Sequence, residues 1–164
     1  MRSGRLGLWV VVCAVLGLGI LLASSPAPAD APCELEGAAG PLGMAAVVDR
    51  TGDACVARWV RDDVPTAQKL WGVWAVRWMD RPEAVLPTLV TLAAGKDPDL
   101  AGAASQAILD VASRDELDVR GDEQESAAVV RALDGALQDT TLRADIRVAM
   151  TAARVRYAAP HAAR

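Results

Sequence analysis

The most regular apolar spacing in the chain runs from residue 80 to 114, DRPEAVLPTLVTLAAGKDPDLAGAASQAILDVASR. Val85, Leu86, Leu89, Leu92 and Ala93 recur three and four positions apart, which places them on one face of a helix. Asp80 precedes them as an N-cap, with Glu83 at capping-box spacing and Pro82 in the first turn. Gly95 is expected to end the helix in the left-handed conformation. Asp97-Pro98 then reads as a second N-cap with a first-turn proline, and Leu100, Ala104, Ala107, Ile108 and Val111 form the next stripe. The pattern predicts an αα-hairpin. Pro87 falls inside its first helix, where it removes the bond to the Glu83 carbonyl and predicts a kink.

The same logic returns downstream. Val129, Val130, Leu133 and Leu137 form one stripe, Asp139-Thr140-Thr141 a turn, and Leu142, Ile146, Ala149 and Ala153 a second stripe. Arg143, Arg147 and Arg154 lie within about 40° of one another around that last helix. This basic ridge either pairs with Asp139 and neighbouring acidic turns or faces an acidic partner. Upstream, residues 44–49 and 54–61 read as two short helices, the second capped by Asp53 and carrying Cys55, Val56, Trp59 and Val60. Thr66 is an N-cap for a helix running to Met79, on which Trp71, Trp74 and Trp78 fall within about 60° of one another beside Leu70. The chain has no Phe, so Trp must supply much of the bulky core volume and the stripe, with Trp59, is expected to pack inward. The other reading is an exposed binding stripe, because indole faces stack on sugars and cations and anchor interfaces.

Val85-Leu86-Pro87-x-Leu89-x-x-Leu92, Asp97-Pro98-Asp99 and Ala104-x-x-Ala107-x-Leu109 together resemble a HEAT-type repeat, whose first helix often carries such a proline. Asp139 and Ile146-Arg147-x-Ala149 are similar to that family's turn acid and valine-arginine step, at slightly wider spacing. In the central copy Leu100-Ala101 stands where the basic residue would be. The copies span 80–114 and 123–157, with a fainter one at 53–79, a period of about 40 residues. The resemblance implies an all-α fold, a short right-handed α-solenoid of stacked helical hairpins with capped ends. An orthogonal helical bundle accommodates the same elements. The resemblance also implies a scaffold that holds another protein on a solenoid face.

The first 29 residues are of another kind. Arg2 and Arg5 precede an apolar run over 6–23, and Ala27-Pro28-Ala29 matches the small-x-small rule for cleavage before Asp30. This reads as a signal peptide. The competing reading is an uncleaved anchor over 6–23, long enough to span a bilayer and the only membrane contact expected. Both put the domain outside the cytoplasm, in a bacterial periplasm or secreted. A Pro-, Gly- and Ala-rich lead-in over 30–43 then precedes a helical domain over 44–158, with 159–164 as a frayed end. Cleavage leaves two cysteines, Cys33 and Cys55, which are expected to pair in an oxidising compartment; two buried thiols are the alternative.

Charge and motif content narrow the chemistry. The chain has 17 basic and 21 acidic residues, a formal charge of −4, and losing Arg2 and Arg5 makes the balance more acidic still. That opposes nucleic-acid binding, which needs a clustered basic surface. The acidic stretch 115–125 lacks the EF-hand pattern, because Leu117 and Val119 stand where oxygen ligands are required, and it reads as a solvated loop. Arg120-Gly121-Asp122 is a tripeptide of chance frequency. The single histidine, His161, lies near the C-terminus, so no Ser-His-Asp or Cys-His set is expected on a rigid scaffold and no His-based metal site. No G-x-S-x-G elbow or phosphate loop occurs. The expectation is a binding protein that is not an enzyme, with no cofactor. Its partner is another extracytoplasmic protein or, alternatively, a small molecule or glycan on the Trp cluster.

Overall fold

Every regular element described is helical. The structure, a computed structural model, describes Cys33, residues 40–114 and residues 123–159. The signal segment, most of the lead-in, the loop over 115–122 and His161 lie outside the described residues. Seven helices follow in order: α1 Gly40–Thr51, α2 Asp53–Arg61, α3 Thr66–Ala75, α4 Leu86–Ala93, α5 Pro98–Ala112, α6 Glu123–Leu137 and α7 Ala144–Ala158. Two single 3₁₀ turns, Val76–Trp78 and Pro82–Ala84, lie between α3 and α4.

The helices pair as α2 with α3, α4 with α5 and α6 with α7. First helices of successive pairs touch each other, α2 on α4 and α4 on α6, and second helices do the same, α3 on α5 and α5 on α7. Helix α1 lies on α2, α3 and the Val76–Trp78 turn. One core runs through all pairs, from Met44, Val56, Val60 and Val73 through Leu86, Leu89, Ala104 and Ile108 to Leu133, Ile146, Met150 and Tyr157. The apolar stripes read from the sequence therefore face inward. All five positions of the α5 stripe are buried, as are Ile146, Ala149 and Ala153 of α7.

The local signals fare unevenly. Asp97 caps α5 as its sequence demands: its Oδ1 accepts from Asp99 N–H at 3.0 Å and Leu100 N–H at 3.1 Å, and Pro98 takes the first position. The helix expected over 80–94 is instead two elements. Pro82–Ala84 forms a 3₁₀ turn, Val85 precedes the new helix, and Pro87 sits in the first turn of α4, where its missing N–H costs nothing and no kink is needed. The capping box fails for a tertiary reason. Glu83 is buried and its Oε1 accepts from the Tyr157 hydroxyl at 3.1 Å, so it does not reach back to Asp80. Asp80 N–H and Arg81 N–H donate instead to the Asp53 carboxylate, at 3.1 and 2.7 Å. Asp53 is thus a clamp between α2 and the chain before α4, and Gly52 holds the cap position.

Three further boundaries move. Helix α1 begins at Gly40, ahead of the start expected at 44, because Pro41 is tolerated in a first turn. Pro65 and not Thr66 holds the cap position of α3, and α3 tightens into a 3₁₀ turn after Ala75. Gly95 is not left-handed. Its N–H donates to the Leu92 carbonyl at 3.0 Å, and the only residue described with positive φ is Gly52, at 76°, where α1 turns into α2.

Two arginines join the pairs end to end. The Arg114 guanidinium, just past α5, donates to the Met79 carbonyl at 2.9 Å and the Arg77 carbonyl at 2.6 Å, closing the 3₁₀ turn that follows α3. Arg156 of α7 donates to the Arg114 carbonyl at 2.6 Å, closing the end of α5 in turn. The described helices belong to one compact unit that starts at Cys33, and none of them is long and apolar enough to cross a membrane.

Candidate functional site

The Trp stripe does not close into the core. Trp59 does so, buried on α2, where its Cβ and backbone lie against Gly72 so closely that the glycine has no room for a side chain. Trp71 and Trp78 are only half-buried at the core margin, and Trp74 is 51% exposed. The core finds its bulk elsewhere, in Met79, Leu86, Leu89, Ile108, Leu133 and Met150. The inward expectation for the stripe is thus corrected at Trp74, the position a helical wheel alone could not assign to a side.

These three indoles wall a cavity of about 390 Å³ lined also by residues of α5 and by Met44 of α1. Trp71 and Trp74 meet edge to face, with centroids 5.5 Å apart and planes at 80°, forming an aromatic corner. That contact steadies Trp74 despite its exposure. Across the cavity α5 presents two small residues, Ala103 and Ala107, and two polar ones, Gln106 and Asp110. Gln106 and Asp110 are one turn apart, and the Gln106 amide donates to Asp110 Oδ1 at 2.8 Å. Arg77 completes the wall. Its guanidinium lies 5.0 Å from the Trp78 ring centroid and reaches Asp110 Oδ2 at 3.5 Å, an ion pair longer than a good hydrogen bond.

Chemically this is an aromatic pocket with a short polar row along one side, its charges balanced by one guanidinium and one carboxylate. It offers stacking faces, donors and acceptors. It offers no nucleophile–base pair, and among the described residues no group of three or more His, Cys, Asp or Glu side chains could hold a metal ion. The sequence pointed to Trp71, Trp74 and Trp78 but not to Arg77, Gln106 or Asp110. The Gln106/Asp110 spacing on the half of α5 facing away from its buried stripe was the available signal, and it needed α3 as neighbour to become a site.

The basic ridge resolves into separate internal contacts. Arg143 pairs with Asp145 two residues on, and Arg154 with Asp134 of α6. Arg147 donates to the carbonyls of Leu137, at 3.0 Å, and Asp139, at 2.6 Å, covering the C-terminal end of α6. The Asp139 carboxylate is engaged by Thr141, whose hydroxyl and N–H hold it below the usual carboxylate range. Arg143 does the same for Asp145. Cys55 is buried and Cys33 half-buried, and both are free thiols, so the bridge expected between them is not formed in this structure. Burial foremost, with Cys33 beside it, pushes the Cys55 thiol up to about 12.

Comparison with protein-family models, with curated proteins and with solved structures gave no match.

Proposed function

We propose that the chain is an exported, non-catalytic binding domain, built as a short α-solenoid, whose recognition site is the Trp71–Trp74–Trp78 pocket. The observation that carries the reading is Trp74, 51% exposed on the rim of a 390 Å³ cavity while a core with no Phe lies beside it. Leaving an indole in water forgoes about 2 kcal/mol of burial. A ligand that covers it recovers that term. The volume lies in the range of roughly 300–1,000 Å³ common to small-ligand sites. The solenoid reading rests on the alternation of neighbours, first helix on first and second on second, together with the HEAT-like spacing of Pro87, Asp97 and Arg147.

A second reading has its own observation. Val148 and Val155, two helical turns apart on α7, are 65% and 66% exposed, an apolar edge on which a second extracytoplasmic protein could rest. A photo-reactive amino acid placed at 74 or at 148, activated in intact cells, separates the two. Adducts of a small ligand at 74 support the pocket. A discrete protein adduct at 148 with none at 74 overturns it in favour of the scaffold, and silence at both positions overturns both.

A further inference from the structure

We infer that the pocket, taken as the ligand site, binds a neutral saccharide, one or two pyranose rings stacked on the Trp71–Trp74 corner with hydroxyls on Arg77, Gln106 and Asp110. The inference rests on the pocket reading above and names its ligand class.

Three features select that class. The first is charge. Arg77 and Asp110 lie 3.5 Å apart and cancel, so neither a cation nor an anion gains net attraction. At Trp78 a cationic ligand would also have to displace the guanidinium already seated over the ring. The second is hydrogen-bond supply. At 3.5 Å the ion pair leaves donor capacity on the guanidinium and acceptor capacity on the carboxylate, while Gln106 brings an amide that both donates and accepts. Planar groups in a row answer the vicinal hydroxyls of a sugar, each a donor and an acceptor, and match a purely apolar ligand poorly, since such a ligand would bury them unpaired.

The third feature is shape. The 80° angle between Trp71 and Trp74 sets the two indoles in a corner, an apolar surface on which the C–H face of a pyranose can stack. Only C–H groups line that side of the ring, so the stacking desolvates no hydroxyl. A proline-rich peptide would need a longer aromatic groove, and beside the three indoles the lining holds only Ala103, Ala107 and Met44 as apolar residues.

The test uses the purified exported chain and tryptophan fluorescence backed by calorimetry. The probes are three neutral hexasaccharides (β-1,4-glucose, β-1,4-N-acetylglucosamine and α-1,4-glucose), tetramethylammonium, a decaproline peptide and the dye anilinonaphthalene sulfonate. At least one hexasaccharide is expected to shift the emission saturably. Trp74→Ala, at an exposed position, and Gln106→Ala are each expected to weaken it by about tenfold with unchanged circular dichroism. Dye, peptide or cation bound in a Trp74-dependent way with no saccharide bound would overturn the ligand class and keep the pocket. Saccharide binding unchanged in both variants would also overturn the inference. No probe bound at all sinks the inference and the pocket reading together.

Discussion

Tyr157→Phe removes a single oxygen from the core, and its cost depends on Glu83. Both residues are buried, Glu83 2% and Tyr157 5% exposed. The Tyr157 hydroxyl donates to Glu83 Oε1 at 3.1 Å, and Oε2 has no hydrogen-bond partner among the described residues. Burial first, and then the Glu83 carboxyl, push the phenol above its ordinary range, with Arg114 and Arg156 pulling the other way. The hydroxyl therefore stays a donor at any working pH. Without it a buried carboxyl loses its one described partner, a penalty of about 2–3 kcal/mol. For a domain of this size that corresponds to roughly 8–12 °C in Tm. Replacing both partners, Glu83→Met with Tyr157→Phe, takes the polar pair out altogether and should return stability to within about 1 kcal/mol of the parent or above it. The coupling between the sites is then about 2 kcal/mol. Urea unfolding followed by circular dichroism at pH 7 with reductant present measures all four corners, and equal m-values certify the comparison. A Tyr157→Phe protein within about 0.5 kcal/mol of the parent, or a double variant as unstable as the two single losses added, would refute the reasoning.

Three further outcomes are expected. Gly72→Ala places a Cβ 2.8 Å from Trp59 Cβ and 3.2 Å from its backbone carbonyl carbon, so α2 and α3 must part, and urea unfolding should show a loss of about 1–3 kcal/mol; a neutral substitution would mean that the pair is not so tightly apposed. Cys55, with its thiol held protonated near 12 by burial, should resist iodoacetamide at pH 8 in the reduced folded protein, while export into an oxidising compartment should yield the Cys33–Cys55 bridge. Intact mass after alkylation reads both, the first on folded reduced protein and the second on exported protein unfolded without reductant, where two alkylated thiols contradict the bridge. Asp139, held below its ordinary 3.8 by Thr141, contributes stability that is present above that value and lost as pH falls through the lower folded one. The Tm gap between the parent and Asp139→Asn should therefore be open at pH 6 and close in acid below 3.8, and a gap constant with pH would remove the charge from the explanation.

Much of the fold could be read from spacing alone, because burial in stacked helices leaves a three-and-four periodicity that local turns do not disturb. The α5 stripe and the Asp97-Pro98 start needed no tertiary information. Glu83 did. Read locally, it is a capping-box acid; its actual partner lies 74 residues away, and no window that slides along the chain contains both. Pro87 belongs with it, because the buried Glu83 sits in a separate 3₁₀ turn and the proline therefore stands at a helix start and not in mid-helix. Half of the candidate site was visible as a Trp stripe on α3 and the 3₁₀ turn after it. The other half, Gln106 and Asp110, looked like an ordinary solvated i, i+4 pair until α5 came to lie against α3. Periodicity says which residues share a face, and only packing says what the face meets.

The Arg156 to Arg114 contact spans 42 residues and the Arg114 to Arg77 contact 37, each tying the end of one hairpin to the arginine of the next. The chain thus carries a directional coupler between successive helix pairs. A hairpin grafted after α7 would be expected to dock only if it brought its own arginine to the last carbonyls of α7, and a hairpin excised from the middle would have to leave that arginine behind. In this molecule one guanidinium joins each helix pair to the pair before it at both described junctions, a rule simple enough to engineer with.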